Sequence, residues 1–161
     1  MYVFLNHENM MDNIDCMHVL ALLVAALCHD VGHPGTSNNF QIVTSSPLAL
    51  LYNDTSVLEN FHCAETFRIL ASDNGKNNLL SSLKKEDYRD IRSAIIRGIM
   101  ATDLSKHMEI LSRINQVADS FSWTEPSHLQ LSFELLIKCA DVSNPTRPVA
   151  VAKYWTDMVI H

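Results

Sequence analysis

Two imidazoles and a carboxylate stand where the most apolar run of the chain stops. Val19–Cys28 is unbroken apolar sequence, and His29-Asp30-Val31-Gly32-His33-Pro34-Gly35 follows it directly. Neutral imidazole and ionised carboxylate together suit borderline and hard divalent cations. Adjacent His29 and Asp30 at a helix end would aim two kinds of donor into one concave space. A plain helix C-terminus accounts for part of the run, since the helix dipole favours His there and Gly and Pro punctuate it. It does not account for Ala140-Asp141-Val142-Ser143-Asn144-Pro145, where a second apolar helix also ends in a carboxylate. His29 and Asp141 are far apart in sequence, so a cation shared between them would need a folded bundle to bring them together.

The elements available to do this are helical. Apolar spacing follows the helical period and nowhere alternates as a strand, so the expected fold class is all-α, an incomplete multi-helix bundle. Asp15–Asp30 reads as a central helix, apolar nearly all round. Asn38–Tyr52 reads as one or two short helices interrupted near Ser45-Ser46-Pro47. Ser56-Val57-Leu58-Glu59 has capping-box spacing, and Val57, Phe61, Ala64, Phe67 and Ala71 follow as a buried face. Asp73-Asn74-Gly75-Lys76-Asn77-Asn78 is a loop by composition. A helix beginning near Lys84 carries Glu86, Asp87 and Asp90 at its positive end, with Ile91, Ile95 and Ile99 as its buried stripe. Thr102-Asp103 breaks the pattern, and Leu104, Met108, Leu111 and Ala118 resume it. After a loop at Ser120–Pro126, Leu129, Phe133, Leu136 and Ala140 lead to Asp141, and Pro148 opens a last helix.

At 161 residues the chain is one ordinary domain or a piece of a larger one. A 47% apolar content with four Gly and five Pro argues for a folded, helical protein. The formal charge of −6, with Lys and Arg scattered, leaves no footprint for nucleic acid. Val19–Cys28 is too short to span a bilayer, and Met1–Leu5 lacks the cationic region and full apolar region of a signal peptide. The four cysteines form no CxxC pair and stand among apolar residues on helical segments, as small hydrophobes do. A reduced, intracellular and cytoplasmic compartment is expected, although a parent protein could reach a membrane through other segments. His18, His107, His128 and His161 read as surface or packed histidines. Trp123, Trp155 and the methionines read as packing.

Six blocks in order carry a family resemblance. They are His29-Asp30-Val31-Gly32-His33-Pro34-Gly35, Ser37-Asn38-Asn39, Leu51-Tyr52-Asn53-Asp54, Ser56-Val57-Leu58-Glu59-Asn60, Ala101-Thr102-Asp103-Leu104-Ser105-Lys106-His107 and Ala140-Asp141-Val142-Ser143-Asn144-Pro145. The chain resembles the catalytic domain of class I cyclic-nucleotide phosphodiesterases, within the HD-type metal phosphohydrolases, from about Leu20 to its C-terminus. The resemblance implies two divalent ions, Zn2+ and Mg2+ (or Mn2+), sharing a bridging hydroxide. It makes His29, Asp30 and Asp141 metal ligands, with Asp30 reaching both ions. His33, Glu59 and Thr102 match the catalytic positions that hold waters on the second ion, and Asp103, Leu104 and Asn144 match positions bordering the substrate pocket. On the residues alone Glu59 could equally complete a capping box, Thr102 could merely end a helix, and Asn144-Pro145 could start a turn. Asn60 and His62 belong to a block without an assigned role. The implied activity, as part of a longer parent enzyme, is metal-dependent hydrolysis of a 3′,5′-cyclic nucleotide, cAMP or cGMP, to the 5′-monophosphate; the segment alone is expected to be inactive or nearly so, and the parent enzyme could be a homodimer.

The match has gaps. The family's His-Asn-x-x-His block supplies the general acid for the departing O3′ and the fourth zinc ligand, and it would lie further before His29 than this chain extends. Asn6-His7-Glu8-Asn9 reverses its order and stands too close. The glutamine and aromatic that grip the purine would lie beyond residue 161. Gly32 stands where many members carry an acid, and Phe61 replaces the first histidine of Glu-Asn-His-His; both read as lineage variation. Residues 1–161 are thus expected to be a partial catalytic domain, truncated at both ends. Two alternatives stay open: a non-catalytic paralogue acting as a regulatory partner, and an HD-type hydrolase of another phosphoester.

Overall fold

A computed structural model describes residues 1–7, 10–72, 76 and 78–160. The readings of Glu8, Asn9 and His161, and most of the loop expected at 73–78, lie outside the described residues. The α-helices are α1 (Tyr2–Leu5), α2 (Cys16–Cys28), α3 (Asn38–Val43), α4 (Pro47–Tyr52), α5 (Val57–Leu70), α6 (Lys85–Met100), α7 (His107–Val117), α8 (Pro126–Asp141) and α9 (Val149–Ile160). Among the described residues there is no strand, and no helix is long and apolar enough to cross a membrane. The fold is all-α.

Local chemistry starts several of these helices. The Asp15 carboxylate accepts from the His18 N–H at 2.8 Å and opens α2. Ser37 accepts from the Phe40 N–H at 3.2 Å, and Ser46 from the Ala49 N–H at 3.1 Å. With Pro47 at the first position of α4, these caps divide Asn38–Tyr52 into two helices.

The core forms where α2 packs on α6, α8 and α5. Ile91, Ile95 and Ile99 are buried as expected. α6 meets both α2 and α8 closely at Gly98. A Cβ there would stand 3.1 Å from the Ala25 Cβ of α2 and 2.5 Å from the Ile137 Cδ1 of α8. Absence of a side chain at 98 therefore lets the three helices close together. His29 follows Ala25 by one turn, and Asp141 follows Ile137 by one turn, so this crossing sets the distance between the two predicted ligands.

Several expectations are corrected. α2 is not covered all round: Ala21, Leu22, Val24 and Ala25 are buried, but Leu23 is partly open and Leu27 is 85% exposed. The buried face of α5 is Leu58, His62, Cys63, Thr66 and Leu70 with Val57, while Phe61, Ala64 and Phe67 are half-buried and Ala71 is exposed. That face is partly polar, and its polar groups are satisfied internally: Thr66 Oγ1 donates to the His62 carbonyl at 2.7 Å. Leu104 and Met108 are exposed, and Ile110 is the buried residue of α7. Leu104 belongs to a separate 3₁₀ turn, Leu104–Lys106, so its phase does not continue into α7. Of the four free cysteines only Cys63 is buried, with its thiol pushed up to about 11 by burial, whereas Cys16 and Cys139 are exposed.

The capping box also fails to form. Ser56 takes a left-handed conformation at φ 41° and makes no side-chain cap. Its hydroxyl donates instead to Asp103 Oδ2 at 2.7 Å. The cap of α5 comes from Asn38, whose Oδ1 accepts from the Leu58 N–H at 2.8 Å.

Candidate metal centre

His29 closes α2. Its Nδ1–H donates to the Ala26 carbonyl at 2.9 Å, which leaves Nε2 facing Asp141 Oδ1 at 3.2 Å and Asp30 Oδ2 at 3.5 Å. The fold thus brings together groups 112 residues apart in the chain. The hydrogen bond that His29 Nε2–H donates to Asp141 is the main cause holding the His29 imidazolium up to about 9, against the opposing effect of burial.

The other oxygen of Asp30 turns to a second set. Asp30 Oδ1 is 3.7 Å from His62 Nε2. The ligand atoms of Asp30, His33 and His62 all lie within 4.8 Å of one another, so this His/Asp cluster could hold a divalent metal. His62 Nδ1–H donates to the Val31 carbonyl at 2.8 Å, and burial pushes its imidazolium below the usual range. It is therefore a neutral ring with a bare Nε2 towards Asp30. His33 stacks on His62 with ring centroids 5.6 Å apart. Its Nδ1 accepts from the Gly35 N–H at 3.0 Å, so the ring proton lies on Nε2. In this tautomer His33 presents Nε2–H, which can hold a water. The turn depends on Gly32, whose φ of 72° folds the chain back after Asp30 and at which a Cβ would stand 3.3 Å from the Phe61 ring.

A third group faces the same carboxylates. Asn38 Nδ2 donates to Glu59 Oε2 at 2.9 Å and more weakly to Oε1 at 3.3 Å. Asn38 therefore caps α5 and fixes the Glu59 rotamer. Thr102 is buried, its Oγ1 donating to the Ile99 carbonyl at 2.8 Å. Asp103 is buried with both oxygens engaged, one by Ser56 and the other by the Ser105 N–H at 2.8 Å. A cavity of about 410 Å³ is lined by Asp30, Glu59, Thr102, Asp103, Leu104 and Asp141. Another, of about 340 Å³, is lined by His29, Asp30, Asp141, Asn144, Arg147 and Trp155.

Eight of the nine predicted site residues line one or the other of two cavities that share Asp30 and Asp141, and His33 lines neither but lies beside Asp30 and His62. Leu104, 69% exposed, stands at the rim of its cavity. Sequence reading left His62 and Asn38 without a role and took Trp155 for packing, whereas Trp155 lines the second cavity. His62 carried a legible signal: it follows Glu59 by three residues, hence on the same face of one helix.

The helical bundle thus gathers histidines and carboxylates at the converging ends of two apolar helices, in a cluster that could hold a divalent metal. The chain belongs to the 3'5'-cyclic nucleotide phosphodiesterase family, which it matches over residues 1–161. It is 42% identical to the mouse High affinity cGMP-specific 3',5'-cyclic phosphodiesterase 9A over 144 residues, 89% of this chain and 27% of the relative. It is 38% identical to the Drosophila melanogaster protein of the same description over 160 residues, 99% of this chain and 10% of the relative. Against the human protein of that description the identity is 40% over 142 residues, 88% of this chain and 24% of the relative. The chain spans about a quarter or less of the length of these curated relatives.

Proposed function

We propose that the protein, as part of a longer parent enzyme, hydrolyses a 3′,5′-cyclic nucleotide to the 5′-monophosphate, with His29, Asp30 and Asp141 as metal ligands. The observation that carries this reading is the placement of Asp30. One of its oxygens faces His29, the other faces His62, which stacks with His33, and two cavities open on it. A carboxylate with a different donor set on each side suits a bridge between Zn2+ and Mg2+ or Mn2+. The donors fit. His29 and His62 each have Nδ1–H tied to a carbonyl, the usual way of aiming Nε2 at a metal. Bound divalent ions would supply a water of lowered pKa and neutralise charge on the phosphoryl oxygens.

The remaining residues bind and orient. Glu59, fixed by Asn38, presents acceptor oxygens to the cavity, and His33, beside Asp30, presents an Nε2–H that can hold a water. Thr102 lines the same cavity as Glu59. Asp103, Leu104 and Asn144 border the space for the nucleotide. Because the relatives are described as cGMP-specific, we take cGMP as the substrate and cAMP as the comparison.

The test is an assay of the chain, and of the longest reading frame that carries it, with cGMP, cAMP and a plain phosphodiester. Chelator-sensitive release of 5′-GMP, lost in Asp30→Ala and Asp141→Ala, is expected. Turnover of the plain ester alone would make it a hydrolase of another phosphoester. Metal binding without any turnover would make it a non-catalytic relative.

A further inference from the structure

Lys138 has no part in the site described above, yet it is 5% exposed. Its ammonium donates to the main-chain carbonyls of Ala101 and Asp103, each at 3.1 Å. These two carbonyls flank Thr102. Burying an ammonium is costly, and where only packing is needed an apolar side chain of similar volume usually serves at least as well. Lys138 stands on α8 three residues before Asp141, so helix geometry places both on one face. The charged groups around it are Asp103, Asp141, Glu59 and Lys106: three carboxylates and one cation. From the opposite side, buried Ser56 at the start of α5 donates to Asp103 Oδ2 at 2.7 Å. The turn carrying Thr102 is therefore held by α8 through its carbonyls and by α5 through a side chain.

We propose that Lys138 is a positioning residue. With Ser56 opposite, it clamps the Ala101–Ser105 turn so that Thr102 keeps its place over the Asp30–Asp141 cavity, and its ammonium offsets the surrounding carboxylates before a divalent ion arrives. This rests on the proposed function for its effect on turnover, but not for its effect on the turn or on metal affinity.

Lys138→Met removes the donors and the charge at nearly unchanged length. Three quantities are measured: hydrogen exchange of the 101–105 amides by mass spectrometry, Mn2+ affinity by calorimetry, and hydrolysis of cGMP. Exchange of that segment should quicken by about tenfold while α2 amides keep their protection. Mn2+ should bind roughly threefold tighter once the competing cation is gone. The value of kcat should fall by about tenfold with KM within roughly twofold. Tighter metal with slower turnover is a split that loosened packing alone does not give.

Ser56→Ala removes the other side of the clamp and keeps the ammonium, so it should raise exchange at 101–105 and leave Mn2+ affinity unchanged. It carries the test if Lys138→Met does not fold. Unchanged exchange at 101–105 in either variant overturns the clamp, and weaker Mn2+ binding in a folded Lys138→Met overturns the electrostatic part. Exchange and Mn2+ affinity are read without substrate. A wild-type protein that hydrolyses nothing would therefore overturn the proposed function and still leave the clamp to these two readouts.

Discussion

Raising the pH from 7 to 9 at constant Mn2+ changes what occupies the corner between α2 and α8. In the metal-free protein that corner holds a proton: the His29 imidazolium, bound to Asp141 at 3.2 Å, titrates at about 9. A cation needs the same Nε2 lone pair, so metal and proton compete. At pH 7 the protonated form outnumbers the bare one by about 100 to 1, and apparent affinity is lowered by that factor. It should climb by about tenfold per pH unit and level off above pH 9. Calorimetry in two buffers of different ionisation enthalpy should find close to one proton released per ion at pH 7. The same group fixes a stability trend in chelator. Its folded pKa lies above the ordinary 6.5, so its contribution is complete below about pH 6.5 and is lost as pH rises through about 9. The gap corresponds to roughly 3 kcal/mol at most. Because the side chains of His29 and Asp141 remain 24% and 31% exposed, solvent screening reduces this to about 1–2 kcal/mol. Urea unfolding at pH 6, 7.5 and 9.5 would measure it, and Asp141→Asn should flatten both trends. Affinity that stays constant between pH 6.5 and 8.5, or metal uptake without proton release, would refute the argument.

Asp30→Ala should weaken Mn2+ binding by about 100-fold, measured by calorimetry, and leave the melting temperature in chelator nearly unchanged, because Asp30 is 63% exposed. Gly98→Ala should destabilise by about 1–3 kcal/mol in urea unfolding, since the rigid Ala25 Cβ would be 3.1 Å away and the contact outweighs the helix-propensity gain of about 1 kcal/mol. Asn38→Ala should cost about 1 kcal/mol through the lost cap of α5, and it should also slow hydrolysis by freeing Glu59. With Leu27 85% exposed beside a partly open Leu23, the chain should associate with rising concentration in sedimentation, and Leu27→Ser should reduce that association at little cost in stability.

How far the site could be read before folding depended on where each side chain finds its partner. The convergence of His29, Asp30 and Asp141 was legible because they end apolar runs, and a bundle gathers the ends of such runs. Their 3.2–3.5 Å spacing was not legible, since it follows from Gly98, an unmarked glycine inside a helix that lets α2, α6 and α8 close. Spacing misled most at Ser56. Its offset from Glu59 is that of a capping box, but the left-handed backbone at Ser56 withdraws the hydroxyl from its own helix, and buried Asp103 takes it. Asn38, 20 residues earlier, then supplies the cap and fixes Glu59 with the same amide. The buried face of α5 was misjudged for a related reason. His62 looks polar in sequence, and the Val31 carbonyl brought to it on folding lets it lie inside, whereas Thr66 is satisfied within its own helix. Local spacing finds partners within a turn of helix, whereas a buried polar group binds whatever the fold delivers to it. In this chain those long-range partners are the ones that hold Glu59, His62 and Asp103 in place, so the forces that close the bundle are also the forces that shape the site.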